Sequence, residues 1–320
     1  MNDLQEKTNA AVLEASKIII GKEKQIRLIL TAIFCGGHVL LDDLPGSGKT
    51  TLVKVISRVL GCDFSRVQFT PDLLPSDIVG MNIFDQKTSE FKMMHGPVMT
   101  NLFLADEINR AIPRTQSALL EAMEELQVTI DGKTWSLPKP FIVMATQNPV
   151  EMESTFHLPA AQMDRFMLRL SLGYPAHDDE IEMLKTVGDD IPFDQLQPIF
   201  TAEDISGIGK DIAKVHIDDK VTAYIVSIVE ATRNNPLVTL PAGPRGSRAL
   251  YRAGKAWAAI AGRSYVTPDD IKTLAPHMLP HRIVPSADAL RGNKDAIEII
   301  TGILSNTDFP AADGALIDAE

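Results

Sequence analysis

The chain has 320 residues, 45% of them hydrophobic, and a formal net charge of −11. Its length suits one large or two moderate globular parts, and its acidity argues against non-specific binding to nucleic acid or anionic membrane. No apolar run approaches the roughly 18 residues of a membrane span.

His38–Leu41 reads as the first core strand. A helix over Thr50–Leu60 follows, with Leu52, Val53, Ile56 and Val59 at helical spacing. Arg66–Thr70 reads as a strand. Residues 71–100 are irregular, with a hairpin pairing Met81–Phe84 with Phe91–Met94. Asn101–Glu107 has no polar alternation, as expected of a strand buried on both faces. A helix is expected over Thr115–Gln127, and a hairpin over Val128–Leu137 turning at Asp131-Gly132. Buried strands follow at Phe141–Thr146 and Met167–Leu172. This alternation predicts an α/β fold, a parallel sheet with helices on both faces.

After Pro175 the pattern becomes helical, with helices near 178–187, 202–214, 218–233, 246–261, 268–277 and 293–304. Thr201 and Thr267 each precede acids in a first helical turn, the pattern of a capping box. The expected division is 1–175 and 176–320, with a mobile tail after Pro310. The polar start carries no signal-peptide pattern. Cys35 and Cys62 lie in apolar settings and read as small buried hydrophobes in a reducing compartment. A cytoplasmic location is therefore expected. The seven histidines show no metal-ligand spacing.

The chemistry concentrates where strands end. Val39 to Thr51 reads as an apolar strand running into Leu44, Pro45, Gly46, Ser47, Gly48, Lys49 and Thr50. In such a turn successive backbone N–H groups form an anion nest at a helix N-terminus. Lys49 would reach the β- and γ-phosphates of a nucleoside triphosphate, and Thr50 would ligate Mg²⁺. The strand at 102–107 ends in Asp106 and Glu107. Asp106 would hold Mg²⁺, through water, and Glu107 would polarise the attacking water. Asn148, at the end of the strand from Phe141, is either a γ-phosphate contact or a turn residue before Pro149.

Four runs carry a family resemblance: Gln68 to Asp77, Ala105 to Ala111, Leu158 to Phe166 and Tyr265 to Asp270. They resemble the MoxR family of AAA+ ATPases, and the likeness extends from about Ile18 to about Leu304. It implies an AAA+ P-loop core, an all-helical lid, assembly as a homo-hexameric ring, and ATP hydrolysis with Mg²⁺. By the same resemblance Asn148 is the sensor 1 position, Arg165 the arginine finger and Arg245 the sensor 2 position, with Arg248 its nearby competitor. Ile19, Ile20 and Gly21 fall where the family lines the adenine pocket, beside a phosphate-binding set that includes Thr51. Segment 71–98 falls where the family carries an insertion facing the ring centre. The implied role is chaperone-like maturation of client proteins, often ones with von Willebrand factor A domains.

One residue departs from the pattern. Asp43 stands where the P-loop begins with glycine. A carboxylate about 4 Å from a phosphate would repel it by about 4 kcal/mol at an effective dielectric near 20. Two functions therefore remain open: an ATP-hydrolysing remodeller, and a nucleotide-gated protein-binding module with little turnover. A nucleic-acid motor is disfavoured by the charge.

Overall fold

The computed structural model describes residues 2–43, 46–148, 155–186 and 192–310. Pro45 and the tail after Pro310 lie outside the described residues.

Two helices come first, α1 (Asn2–Ser16) and α2 (Glu23–Phe34). β1 (His38–Asp42) leads to α3 (Lys49–Val59), followed by β2 (Phe64–Gln68). A short helix α4 (Pro75–Val79) opens onto the hairpin β3 (Gly80–Asp85) and β4 (Glu90–His95). β5 (Leu102–Asp106) and α5 (Pro113–Glu125) precede a second hairpin, β6 (Gln127–Ile130) and β7 (Lys133–Ser136). β8 (Ile142–Gln147), α6 (Ala160–Met163) and β9 (Phe166–Leu170) complete the α/β part.

Among the described residues, five strands form one sheet in the order β2-β5-β8-β1-β9, every pair parallel. Strand periodicity sends alternate side chains to opposite faces. Val39, Leu41, Leu104, Met144 and Leu168 join a core with α2 and α3. Leu40, Phe103, Val143 and Phe166 join another with Leu119, Leu120 and Met123 of α5.

The remainder is mostly helical: α7 (His177–Thr186), α8 (Ala202–Ala213), α9 (Asp219–Arg233), α10 (Pro244–Ile260), α11 (Pro268–Met278), α12 (Ala287–Arg291) and α13 (Ala296–Asn306). Thr201 and Thr267 form the expected capping boxes, with Asp204 and Asp270. The two short strands β10 (Val238–Leu240) and β11 (Val284–Pro285) pair antiparallel.

Several expectations shift, among them α5, which begins and ends two residues earlier than read, and β9, which ends at Leu170 rather than Leu172. β2 begins and ends two residues earlier than read, because its register runs from Phe64 opposite Leu102 to Gln68 opposite Asp106. α13 starts later than expected, since Asn293 takes a left-handed φ of 52° and Asp295 caps the helix. Helices α1 and α2 were not expected. They pack on α10, and Phe34 meets Phe200 edge to face at 5.3 Å. The larger core is continuous from Leu4 to Ile303, uniting these helices, one sheet face and α8 to α13.

Candidate active site

β1, β5 and β8 run parallel side by side, so their carboxyl ends share one edge of the sheet, where such sheets bind ligands. After β1 the chain turns on Gly46 and Gly48, both at φ 80°. A side chain would strain the backbone at either position. α3 then starts at Lys49. Among the described residues, Ser47 Oγ is buried without a hydrogen-bond partner. Thr51 follows, half-buried, in the first turn of α3.

Lys49 Nζ donates to the main-chain oxygen of Asp43 at 2.7 Å. Burial lowers the pKa of the ammonium, and the carboxylates of Asp43, Asp106, Asp42 and Glu107 oppose that shift. Thr50 Oγ1 donates to Asp106 Oδ2 at 3.2 Å. The same oxygen accepts from Arg66 Nε at 3.0 Å and from its terminal nitrogen at 2.7 Å, while Asp106 Oδ1 accepts from Thr146 Oγ1 at 2.6 Å. These hard oxygen donors suit Mg²⁺.

Glu107 takes φ 55°, a left-handed conformation uncommon outside glycine. Its N–H donates to Thr146 Oγ1 at 2.8 Å, which fixes the turn out of β5. Its carboxylate accepts from Gln68 Nε2 at 2.7 Å and from Arg110 at 3.0 Å. Asn148 is buried beyond the end of β8, and its carbonyl accepts from Asn109 Nδ2 at 3.3 Å. Ile20 and Gly21 lie in the turn between α1 and α2. Gly21 has φ 69°, and a Cβ there would collide with the Asp179 carboxylate at 2.1 Å.

The Asp43 side chain is turned toward the far end of β9. Its Oδ2 accepts from Leu172 N–H at 2.6 Å and Gly173 N–H at 3.0 Å, and its Oδ1 from Ser171 Oγ at 3.2 Å.

Arg165 and Arg245 sit at the opposite edge of the sheet. Arg165 immediately precedes β9, which starts beside His38 at the beginning of β1. A five-residue strand spans roughly 16 Å. Arg165 Nε donates to Glu124 Oε2 at 2.9 Å, Arg245 pairs with the same carboxylate, and Arg245 also approaches Asp164 at 3.8 Å. Burial raises the pKa of Glu124, but the Arg165 and Arg245 guanidiniums outweigh it and the net shift is downward. Arg248, Arg252 and Arg282 join them around a cavity of about 330 Å³. The structure thus gathers Lys49, Thr50, Asp106, Glu107 and Asn148 at one edge. The two arginines read with them from sequence are not brought to the P-loop of their own chain.

Arg66, Gln68, Arg110 and Glu124 were not singled out in the sequence. For Arg66 the available signal was a charge within a short strand otherwise carrying Phe64 and Val67. For Glu124 it was an acid in the last turn of a helix, where the dipole disfavours it. Among the described residues no three His, Cys, Asp or Glu side chains cluster as a metal site, and no helix is long and apolar enough to cross a membrane.

Known proteins share this arrangement. A family model described as the ATPase family associated with various cellular activities (AAA) matches residues 38–168, and an AAA lid domain model matches residues 230–301. The chain is 46% identical to the uncharacterized protein YeaC of Bacillus subtilis, over 98% of each chain. It is 39% identical to Chaperone MoxR1 of Mycobacterium tuberculosis, over 94% of this chain and 81% of that one. A crystal structure of a candidate ATPase from Cytophaga hutchinsonii superposes with a TM-score of 0.89 at 38% identity, covering 96% of both chains. With the strand order, the loop turned on Gly46 and Gly48 and the helical part after β9 all in agreement, the chain belongs to the MoxR family of AAA+ ATPases.

Proposed function

We propose that this protein is a Mg²⁺-dependent ATPase that works as a homo-hexameric ring and remodels or matures client proteins in the cytoplasm. The observation that carries the reading is the approach of Thr50 Oγ1 to Asp106 Oδ2 at 3.2 Å, from residues 56 apart in sequence. The unpartnered Ser47 Oγ and the open turns at Gly46 and Gly48 fit a phosphate chain.

In this reading the backbone of residues 45–50 and Lys49 bind the β- and γ-phosphates, while Ile20 and Gly21 border the base. Thr50 and Asp106 hold Mg²⁺, whose charge offsets that of the phosphate oxygens. Glu107 accepts a proton from the attacking water. Asn148 orients that water or the γ-phosphate. Arg165 and Arg245 lie too far from their own P-loop to serve it, and this supports action on a neighbouring subunit's nucleotide, where a guanidinium neutralises charge on the transferring phosphoryl group.

Division into a 1–175 core and a 176–320 lid belongs to the same proposal. So do clients with von Willebrand factor A domains. The hairpin β3–β4 exposes Phe84 and Phe91, packed edge to face with centroids 5.3 Å apart, as an apolar tip available to a client. Low turnover was favoured only by a carboxylate facing the phosphates, and the Asp43 carboxylate binds the Leu172 and Gly173 amides instead. A steady-state phosphate-release assay on the intact ring tests the proposal. Turnover no greater than that of Lys49→Ala would overturn it.

A further inference from the structure

β9 ends at Leu170, and the chain reaches α7 at His177 through a short connection. Such an irregular segment has backbone polar groups that no strand partner satisfies. Here one acid and one base satisfy four of them. Asp43 takes the N–H groups of Leu172 and Gly173. Lys22 Nζ donates to the carbonyls of Leu172 at 2.6 Å and Tyr174 at 3.0 Å. Gly173 turns the segment at φ 61°.

Both clamping residues adjoin the nucleotide site. Asp43 is buried and opens the P-loop; its own carbonyl is the acceptor for Lys49 Nζ, and its N–H donates to Gln147 O at 3.4 Å. Lys22 follows Ile20 and Gly21 directly. The phosphate end and the base end of the site therefore meet on Leu172 and between them hold Leu172, Gly173 and Tyr174, which open the connection to α7 and the helical part.

We propose that Asp43 and Lys22 are positioning residues that transmit nucleotide occupancy to the Leu172–Tyr174 connection, and so to the orientation of the helices after it. This rests on the P-loop reading above. When phosphate oxygens compete for Lys49 Nζ, the pull on the Asp43 carbonyl changes. The Asp43 carboxylate shares a Cα with that carbonyl and is held by three hydrogen bonds, so it carries the change to two backbone amides. The aspartate in place of the usual loop glycine is thus the coupling element, and glycine could not perform this task.

The test is amide hydrogen exchange over residues 171–186, with and without Mg·ADP or a non-hydrolysable Mg·ATP analogue, alongside nucleotide affinity, in full-length wild type, Asp43→Gly, Asp43→Asn and Lys22→Met. Nucleotide is expected to change exchange in this segment by about fivefold or more in wild type, within the usual range of allosteric coupling. Asp43→Gly should bind nucleotide within about threefold of wild type yet lose most of that change. Asp43→Asn keeps an acceptor for the two amides and should retain it. Lys22→Met, which leaves the P-loop untouched, should lose most of it, and decides the matter if Asp43→Gly does not fold. A purely structural clamp would raise exchange in the variants but leave the response to nucleotide intact, and that result would overturn the inference. So would nucleotide binding about tenfold or more tighter in both Asp43→Gly and Asp43→Asn, which would put the carboxylate's charge against the phosphates. Wild type that binds nucleotide without a response over 171–186 defeats this inference alone. Wild type that binds none defeats the P-loop reading with it.

Discussion

Arg165 donates to Glu124 across 2.9 Å at the edge of the sheet where the strands begin, while Lys49 and Glu107 stand at the edge where they end. Arg165→Ala should therefore bind ATP normally and lose roughly 10³-fold or more in turnover. Mixing it with Lys49→Ala subunits should recover activity at interfaces that pair an intact finger with an intact P-loop. Phosphate release from verified mixed rings checks this, and no recovery would count against action between subunits.

Glu107→Gln keeps the phosphate nest, Thr50 and Asp106, and it keeps an acceptor for Gln68 and Arg110. Nucleotide affinity should stay near wild type, while turnover falls roughly 10²–10⁴-fold for loss of a general base. Equilibrium binding of a fluorescent ATP analogue together with single-turnover hydrolysis separates the two quantities. Near wild-type turnover would remove Glu107 from the mechanism.

His38 gives the fold a pH dependence of defined sign. Its Nδ1 accepts from Val143 N–H at 3.0 Å, so Nε2 carries the proton that meets Met123 O at 3.1 Å. Burial pushes its pKa down to about 4. Between that value and the unfolded value near 6.5, the unfolded chain binds more protons. Stability from this group is complete above about pH 6.5 and is lost as pH falls toward 4, at up to about 1.4 kcal/mol per pH unit. His281, also buried and shifted well below its ordinary value, acts in the same direction. Urea midpoints measured from pH 7 to pH 4 should fall less steeply in His38→Gln than in wild type.

Gly80 joins α4 to β3 at φ 104°, and a Cβ there would lie 2.4 Å from Met94 O. Gly80→Ala should strain the base of the β3–β4 hairpin by about 1–3 kcal/mol while leaving the sheet intact. Faster amide exchange confined to residues 80–95, with nucleotide affinity unchanged, is the expected result. Uniform loss of protection across the sheet would show that the strain spreads.

The parts legible in sequence were those whose chemistry is local. A glycine-bounded loop with Lys49 and Thr50, and apolar strands ending in Asp106, Glu107 or Asn148, each declare themselves within about ten residues, a strand and its turn. The parallel sheet followed from the strand–helix alternation. α1 and α2 were not read: in α2 the run Leu28 to Phe34 is buried on every side, which blurs the helical period, whereas α1 does carry Leu4, Thr8, Ala11, Val12 and Ala15 at helical spacing, a signal that was open to reading. The direction of the Asp43 carboxylate depended on amides some 130 residues away, at Leu172 and Gly173. Glu124 likewise acquires its role only when Arg165 and Arg245 arrive from two other elements.

The continuous apolar interior running from Leu4 to Ile303 has a consequence for how the molecule melts. α10 lies against α1 and α2, and Phe34 meets Phe200 edge to face, so the helical part has no interior separate from that of the first helices. Cutting the chain near residue 175 would strip α2 and α3 of much of their cover and leave a wide apolar surface in water. Heating should accordingly give a single calorimetric transition, with the enthalpy from its area matching the enthalpy from its width. The helical half can swing only as a body that keeps its grip on α1 and α2, so its movement and theirs should be one event.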